Sequence, residues 1–494
     1  MINLYKFILV FPILLLISGC YDDYIPPKDV GKVQPKDTVK VQPKDIAVIP
    51  DISYAHTSVS VILSEQPQIA KSTKSIDRYG VQTPIDFHIN KDESIDVFWE
   101  DSGDKQSRWN LTKHNSYLDP TIIDTIIIPS SINQSGKFLG FDKKESNNSY
   151  FLAYSKDNTF AVRDNNGACV RVNRSYDNCD GAYWLSSFDD KGIELFNTNI
   201  FGDVDLTIKD VSGAMTKGNP GAASIGTVLY HDNSDRVILY TGHKQRFTDN
   251  IRHQAGWIGS FNSNGSIHKV INGWYSSHNF DQRLHLSLTP NSIYSLAHGD
   301  AYPRSLALGK WDVINSKRIF NYNYYDIKNG KFGDNTTLSD TGDIAVIDNE
   351  RVVIAYATED SRKSRDVVLK IISGVNGLNN KSIKEELNIW LTSYDESRMA
   401  GKGIKVAFSK NKIIVMWNEY HGSKSDISHK KGDYLSTIIE AYSVKGKKLG
   451  SMKLNDRLMP TQSIKITPDE KHVLWVTTSN NSELVFHNID LGLI

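Results

Sequence analysis

The chain has 494 residues, with 57 Lys+Arg against 57 Asp+Glu, 39% hydrophobic and 10% aromatic side chains. This balance lacks the basic excess of a nucleic-acid binder and the acidic runs of a metal sponge. The length allows one large all-β domain or two smaller ones.

Lys6 is the single charge before an apolar run from Phe7 to Ile17. Eleven residues rise about 16 Å as a helix, against roughly 30 Å of bilayer hydrocarbon, so the run is short for a span and has the layout of a secretory signal. It ends in Ile17-Ser18-Gly19-Cys20. The order aliphatic, small, small, cysteine resembles the lipobox of bacterial lipoproteins. The resemblance implies cleavage before Cys20, acylation of its thiol and amine, and membrane anchoring by two or three chains. In such lipoproteins an aspartate directly after the cysteine favours inner-membrane retention. Here that place holds Tyr21, so the resemblance implies a bacterial cell envelope, outer-membrane location. Residues 1–19 are read as the signal and 20–50 as a tether.

The tether repeats Pro27-Lys28-Asp29, Pro35-Lys36-Asp37 and Pro43-Lys44-Asp45 at a period of eight. Proline stiffens such a segment and the charges keep it solvated, which suits a semi-extended spacer. Beyond Cys20 the only cysteines are Cys169 and Cys179. In an exported protein this close pair predicts a disulfide across a hairpin or loop. The sequence contains no CxxC, HExxH or spaced Cys/His set, so no structural zinc is expected.

From about residue 79 a pattern of short strands recurs over the body, residues 51–494. Its strongest strands are Ser94–Trp99, Tyr150–Tyr154, Val237–Tyr240, Ile293–His298, Val352–Tyr356, Ile413–Trp417 and His472–Trp475. Their last residues are spaced by 55, 86, 58, 58, 61 and 58. Weaker strands such as Gly403–Phe408 precede them, and third strands such as Gln254–Phe261, Val367–Ile372 and Leu484–His487 follow. Spacing near 58 fits four-stranded blades, so the expected fold is an all-β propeller of seven blades, with two β-sandwich domains as the alternative. The 86-residue interval could hold an inserted disulfide loop or an eighth blade. Residues 380–392 are the main helical candidate. Asp232–Asp235 and Asn262–Gly265 read as hairpin turns.

The densest polar constellation runs from Ser276 to Arg304 and contains His278, Asp281, Arg283, His285, Asp300, Tyr302 and Arg304. Alternation on a strand puts Asp281, Arg283 and His285 on one face. With Tyr302 or Trp274 as a stacking surface, the group could clasp a sugar or an acidic ligand. The competing reading is structural: Asp and Arg pair to fix one blade against the next. The segments Ser277-His278-Asn-Phe-Asp281-Gln-Arg283 and His298-Gly-Asp300-Ala-Tyr302-Pro-Arg304 resemble a motif of uncharacterised bacterial surface proteins of propeller fold. That resemblance implies no established activity. Glu100-Asp101, Glu359-Asp360 and Glu419 follow three strand ends. They suit plain turn chemistry, or calcium binding or glycosidase work as the sharper reading.

The expected function is therefore a lipid-anchored propeller that binds a glycan, peptide or protein, with no nucleic-acid partner, no metal and no complete catalytic set. A polysaccharide-acting enzyme (glycosidase or lyase) is the first alternative. An outer-membrane assembly scaffold is the second.

Overall fold

The computed structural model describes residues 49–63, 85–101, 108–132, 137–156, 171–173, 176–177, 182–200, 207–209, 215–217, 219–220, 226–246, 252–277, 282–298, 305–325, 341–358, 362–377, 379–401, 403–422, 434–457, 464–480 and 482–494. The lipobox with Cys20, the Pro-Lys-Asp repeats and the Cys169–Cys179 pair lie outside the described residues.

The seven strong strands recognised in the sequence each become the second strand of an antiparallel sheet. Blade 1 comprises Ile85–Ile89, Ile95–Asp101, Arg108–His114 and Ile122–Ile126. Blade 2 comprises Lys137–Lys144, Ser149–Lys156, Ala182–Phe188 and Glu194–Asn199. Blade 3 is built from Gly226–His231, Arg236–Arg246, Arg252–Asn262 and Ile267–Ser277, with Asn219–Pro220 pairing at the far end of its second strand. Blade 4 uses Gln282–Leu286, Ser292–His298, Ser305–Asp312 and Lys317–Tyr325, and blade 5 uses Asp343–Val346, Arg351–Thr358, Asp366–Ser373 and Lys384–Trp390. Blade 6 consists of Lys405–Ser409, Lys412–His421, Tyr434–Ser443 and Lys448–Leu454, with Arg398–Ala400 beside the end of its second strand.

Blade 7 closes the ring. Its first three strands, Lys465–Ile466, His472–Asn480 and Glu483–Asp490, come from the end of the chain, and its outer strand is His56–Ile62 from the beginning. The pairing runs from His56 opposite Ile489 to Ile62 opposite Glu483. A strand from each end in one sheet leaves no open blade face, which a stacked array of sheets would otherwise expose.

Packing between blades completes the fold. Seven hydrophobic clusters among the described residues each join two neighbouring blades. Phe98 and Trp109 of blade 1 pack with Phe138, Tyr150 and Tyr154 of blade 2. Leu474 and Phe486 of blade 7 pack with Ile85, Phe87 and Trp99 of blade 1. Equivalent clusters join blades 2 and 3, 3 and 4, 4 and 5, 5 and 6, and 6 and 7. This ring of contacts makes the body a seven-bladed β-propeller rather than two sandwiches.

Residues 380–392 are not an α-helix. Asn380–Ser382 form one 3-10 turn, and Lys384–Trp390 is the outer strand of blade 5. The side chains that pack inwards are Leu387 and Ile389, two apart, while Lys384, Glu385 and Glu386 are exposed. An outer strand has one wet face, so its apolar side chains are spaced loosely enough to suggest a helical period. The 86-residue interval contains the outer half of blade 2, the start of blade 3 and two short hairpins, Arg171–Asn173 with Tyr176–Asp177 and Thr207–Lys209 with Met215–Lys217. Among the described residues it adds excursions rather than a blade. Both turn readings hold: Asp235 (φ 50°) follows the turn at Asp232–Ser234, and Gly265 (φ 82°) closes the turn from Asn262.

Alternating strand direction sorts the connections between two faces. First-to-second strand turns are short, as at Asn90–Ser94 and Thr467–His472. Second-to-third connections and the passages between blades leave from the opposite face. The chain takes 25 residues from Lys156 to Ala182 and 12 from His421 to Tyr434 there. Both halves of the 276–304 constellation attach at this face.

Candidate functional site in the axial cavity

Each blade places its first strand against the propeller axis. A cavity of about 540 Å³ lies there, lined by the inner strands of all seven blades. Its ionisable lining comes from Asp86 and His88 of blade 1, Asp142 of blade 2, Arg283 and His285 of blade 4, Asp343 of blade 5 and Lys465 of blade 7. The alternation of these strands is the cause. In Ile85–Ile89 the three apolar residues are buried between blades while Asp86 and His88 project between them towards the axis.

Two of the aspartates fasten neighbouring blades. Asp142 Oδ1 accepts the Lys143 N–H at 2.9 Å, and its Oδ2 accepts the Tyr230 N–H of blade 3 at 2.7 Å. Asp343 Oδ1 accepts the Ile344 N–H at 3.0 Å, and its Oδ2 accepts the Val406 N–H of blade 6 at 3.4 Å. Burial alone would raise the Asp142 carboxyl. The His88 contact, the Lys465 charge and the Tyr230 N–H outweigh it and hold the group below its ordinary range.

Asp86 differs. Its Oδ1 accepts the Phe87 N–H at 2.9 Å, and its Oδ2 meets no hydrogen-bond donor among the described residues. Burial pushes this carboxyl up, and Asp142 adds to the push. Lys465, the Phe87 N–H and Lys405 oppose it without cancelling it. Lys465 Nζ itself donates to the Phe87 carbonyl and lies 5.2 Å from the Phe87 ring.

The two histidines also differ. His88 Nδ1 lies 3.3 Å from Asp142 Oδ1, and its Nε2 lies 3.2 Å from Glu145 Oε1. Both ring nitrogens are engaged. His285 Nδ1 is 2.7 Å from the Leu286 carbonyl oxygen. A carbonyl only accepts, so Nδ1 carries the proton of this bond. His285 Nε2 has no hydrogen-bond partner among the described residues.

Of the residues expected from sequence, Arg283 and His285 share the axial face as alternation predicted. Arg283 also does the structural work weighed against a binding role, since its Nε lies 4.0 Å from Asp343 Oδ1. His278, Asp281, Asp300, Tyr302 and Arg304 lie outside the described residues, as does the side chain of Trp274. Glu100 and Asp101 end the second strand of blade 1, and Glu359-Asp360 lie outside the description. Glu419 is not a turn residue. It is buried in the second strand of blade 6, 3.7 Å from Arg398 and 3.8 Å from Lys453. It meets cations rather than other carboxylates. No group of three or more His, Cys, Asp and Glu gathers among the described residues to hold a metal ion.

Sequence reading missed Asp86, His88, Asp142, Asp343 and Lys465. One signal was present. Asp86-Phe87-His88-Ile89 and Arg283-Leu284-His285-Leu286 share the order charged, apolar, His, aliphatic, each on an inner strand.

No protein-family model matches the chain, and no curated protein matches it. Solved structures do. A polysaccharide lyase of family PL25, an ulvan lyase, aligns at 12% identity over 75% of this chain and 80% of its own, with a TM-score of 0.39. The α-L-arabinanase of Penicillium chrysogenum, solved with arabinobiose, aligns at 9% identity over 88% and 98%, with a TM-score of 0.38. Prolyl oligopeptidase B of Galerina marginata aligns at 9% identity over 84% of this chain and 48% of its own, with a TM-score of 0.43. Overlap this partial carries no functional conclusion, and the propeller assignment rests on the blade topology itself.

Proposed function

We propose that this chain is an envelope lipoprotein whose propeller body holds an acidic glycan in the axial cavity. One observation carries the reading: inner strands of separate blades bring Asp86, Arg283, His285 and Lys465 to one cavity of about 540 Å³. That volume falls in the range of small-ligand sites, which join apolar walls to a few directed polar groups. Here Leu284, Ile344 and Phe138 supply apolar wall. A sugar ring needs both, and Arg283 suits a carboxylate or sulfate on it.

The anchor is the second part of the proposal. Cys20 would carry the lipid, and residues 21–50 would hold the body off the membrane. The course of the described N-terminus is consistent with this. Asp51 bridges Ser451 on the outer strand of blade 6, and His56–Ile62 then begins at the face of short turns. A tether entering there would leave the opposite face, with its longer connections, turned away from the bilayer.

The test is binding of the purified full chain to polygalacturonate, alginate, chondroitin sulfate and neutral arabinan by calorimetry. Binding to an acidic polymer that weakens tenfold or more in both Arg283→Met and His285→Ala supports the reading. No binding to any acidic polymer, or binding indifferent to both changes, overturns it. Fatty-acid labelling of the wild type and of Cys20→Ala checks the anchor separately.

A further inference from the structure

Three aspartates project from inner strands towards the axis, and two of them give their second oxygen to the next blade. Asp86 does not. Two inner-strand histidines occupy matching places, two residues after Asp86 and after Arg283. His88 is held at both nitrogens by Asp142 and Glu145. His285 is held at Nδ1 alone. Among the described residues, Asp86 Oδ2 of blade 1 and His285 Nε2 of blade 4 therefore reach the cavity without a hydrogen-bond partner.

We infer that Asp86 and His285 form an acid–base pair that cleaves a uronic-acid glycan by β-elimination, with Arg283 or Lys465 on the uronate carboxylate. This deepens the glycan reading above and rests on it. His285 Nε2, the ring nitrogen opposite the bonded Nδ1, takes the C5 proton of the uronate. The C5–H electron pair becomes the C4=C5 double bond as the C4–O4 bond breaks. O4 leaves with the bonding pair and takes a proton from the Asp86 carboxyl. The products are an unsaturated uronate and a new hydroxyl end. His285 returns its proton to solvent and Asp86 regains one, so no oxidant, reductant or added water is consumed. The cation beside the uronate carboxylate stabilises the charge that builds up when C5 loses its proton.

Hydrolysis is the less favoured chemistry here. It needs a second carboxylate to activate water or attack carbon. Asp142, the other carboxylate beside Asp86, already has both oxygens engaged by Lys143, His88 and Tyr230. The Asp86 carboxyl, by contrast, sits where burial favours its protonated form, as a leaving-group acid requires.

The experiment incubates the full chain with polygalacturonate, alginate and chondroitin sulfate. It follows the ultraviolet absorbance of the unsaturated product and measures binding in parallel. Wild type is expected to generate that absorbance. Asp86→Asn and His285→Gln should each lower the rate on the order of a hundredfold or more, with the thermal midpoint retained. Asp86→Asn should also remove the alkaline limb of the rate profile. Binding without turnover, or saturated reducing ends without absorbance, overturns the elimination while leaving the glycan reading intact. Full activity in either variant overturns the assignment of that residue. Absence of binding to all three polymers overturns both proposals.

Discussion

Asp142 Oδ2 accepts the Tyr230 N–H at 2.7 Å across the boundary between blades 2 and 3. The bond satisfies a backbone donor on an inner strand, where the next blade's first strand is not its ladder partner. Inner strands pair on one side only, so their other edge needs side-chain acceptors. Asp142 and Asp343 supply them. Asp142→Ala leaves the Tyr230 N–H without its acceptor and should cost about 1–3 kcal/mol. A urea titration should show a lowered midpoint. An unchanged midpoint would mean that water replaces the carboxylate.

Behind this bond lies a buried ion pair. Lys143 Nζ is 2.8 Å from Asp96 Oδ2, with both side chains almost fully enclosed between blades 1 and 2. Asn90 and Tyr150 also donate to that oxygen. Removing one charge strands the other. Lys143→Met should therefore destabilise by about 3–5 kcal/mol. Combining it with Asp96→Asn should cost clearly less than the two single changes summed. An additive double mutant would show that the pair is uncoupled.

Acid should loosen the closing blade. His487 is buried against Trp475, with ring centroids 4.9 Å apart, and its Nδ1 lies 3.2 Å from His56 Nε2. Thr477 meets its Nε2 at 2.8 Å, and Asp456 approaches to 3.7 Å. Burial, then the His56 charge, lowers the His487 imidazole to about 3. Burial also lowers His56, against the pull of Asp456. Both folded values lie below the unfolded 6.5, so the unfolded chain binds more protons in acid. The stabilisation is complete above 6.5 and is lost as pH falls below it. For His487 alone the loss by about pH 5 is roughly 2 kcal/mol. Thermal midpoints between pH 5 and 7 should fall with acid, and His487→Gln should flatten the slope. An equal slope in the variant would place the acid sensitivity elsewhere.

Gly342 links stability to the site. It has φ +70°, and a Cβ there would stand 1.9 Å from the Ala355 carbonyl oxygen. The next residue is Asp343, which contacts Val406 and Arg283. Gly342→Ala should cost at least about 1–3 kcal/mol, since the obstacle is backbone as well as φ. It should also weaken ligand binding through Asp343 more than Asn148→Ala does on the opposite face. Equal effects at the two positions would separate Gly342 from the cavity.

The blade count was legible because the second strand of each blade is buried on both faces. Val352-Val353-Ile354-Ala355-Tyr356 and Ile413-Ile414-Val415-Met416-Trp417 are apolar throughout, and such runs stand out in a sequence. Outer strands are legible only in part. Lys384–Trp390 has one wet face and falls within 380–392, the segment with the most helical periodicity. The cavity was legible at Arg283 and His285 because they lie beside the Asp281 and His278 cluster. Asp86-Phe87-His88 carries the same alternation about two hundred residues earlier and stood alone, so nothing drew attention to it.

The sequence by itself determined the repeat, the seven strong strands, the turns at Asp232–Asp235 and Asn262–Gly265, and the shared face of Arg283 and His285. All of these depend on contacts near in sequence or on alternation along one strand. Only the tertiary structure decided that the chain's two ends share blade 7, that Asp86 and His285 face one cavity, and that Asp142 and His88 are engaged at every polar side-chain atom while Asp86 Oδ2 and His285 Nε2 meet no hydrogen-bond partner among the described residues. Closing the ring brings residues hundreds of positions apart to a common axis. Which polar atoms remain unspent there depends on the offset between neighbouring blades, and no local pattern encodes that offset.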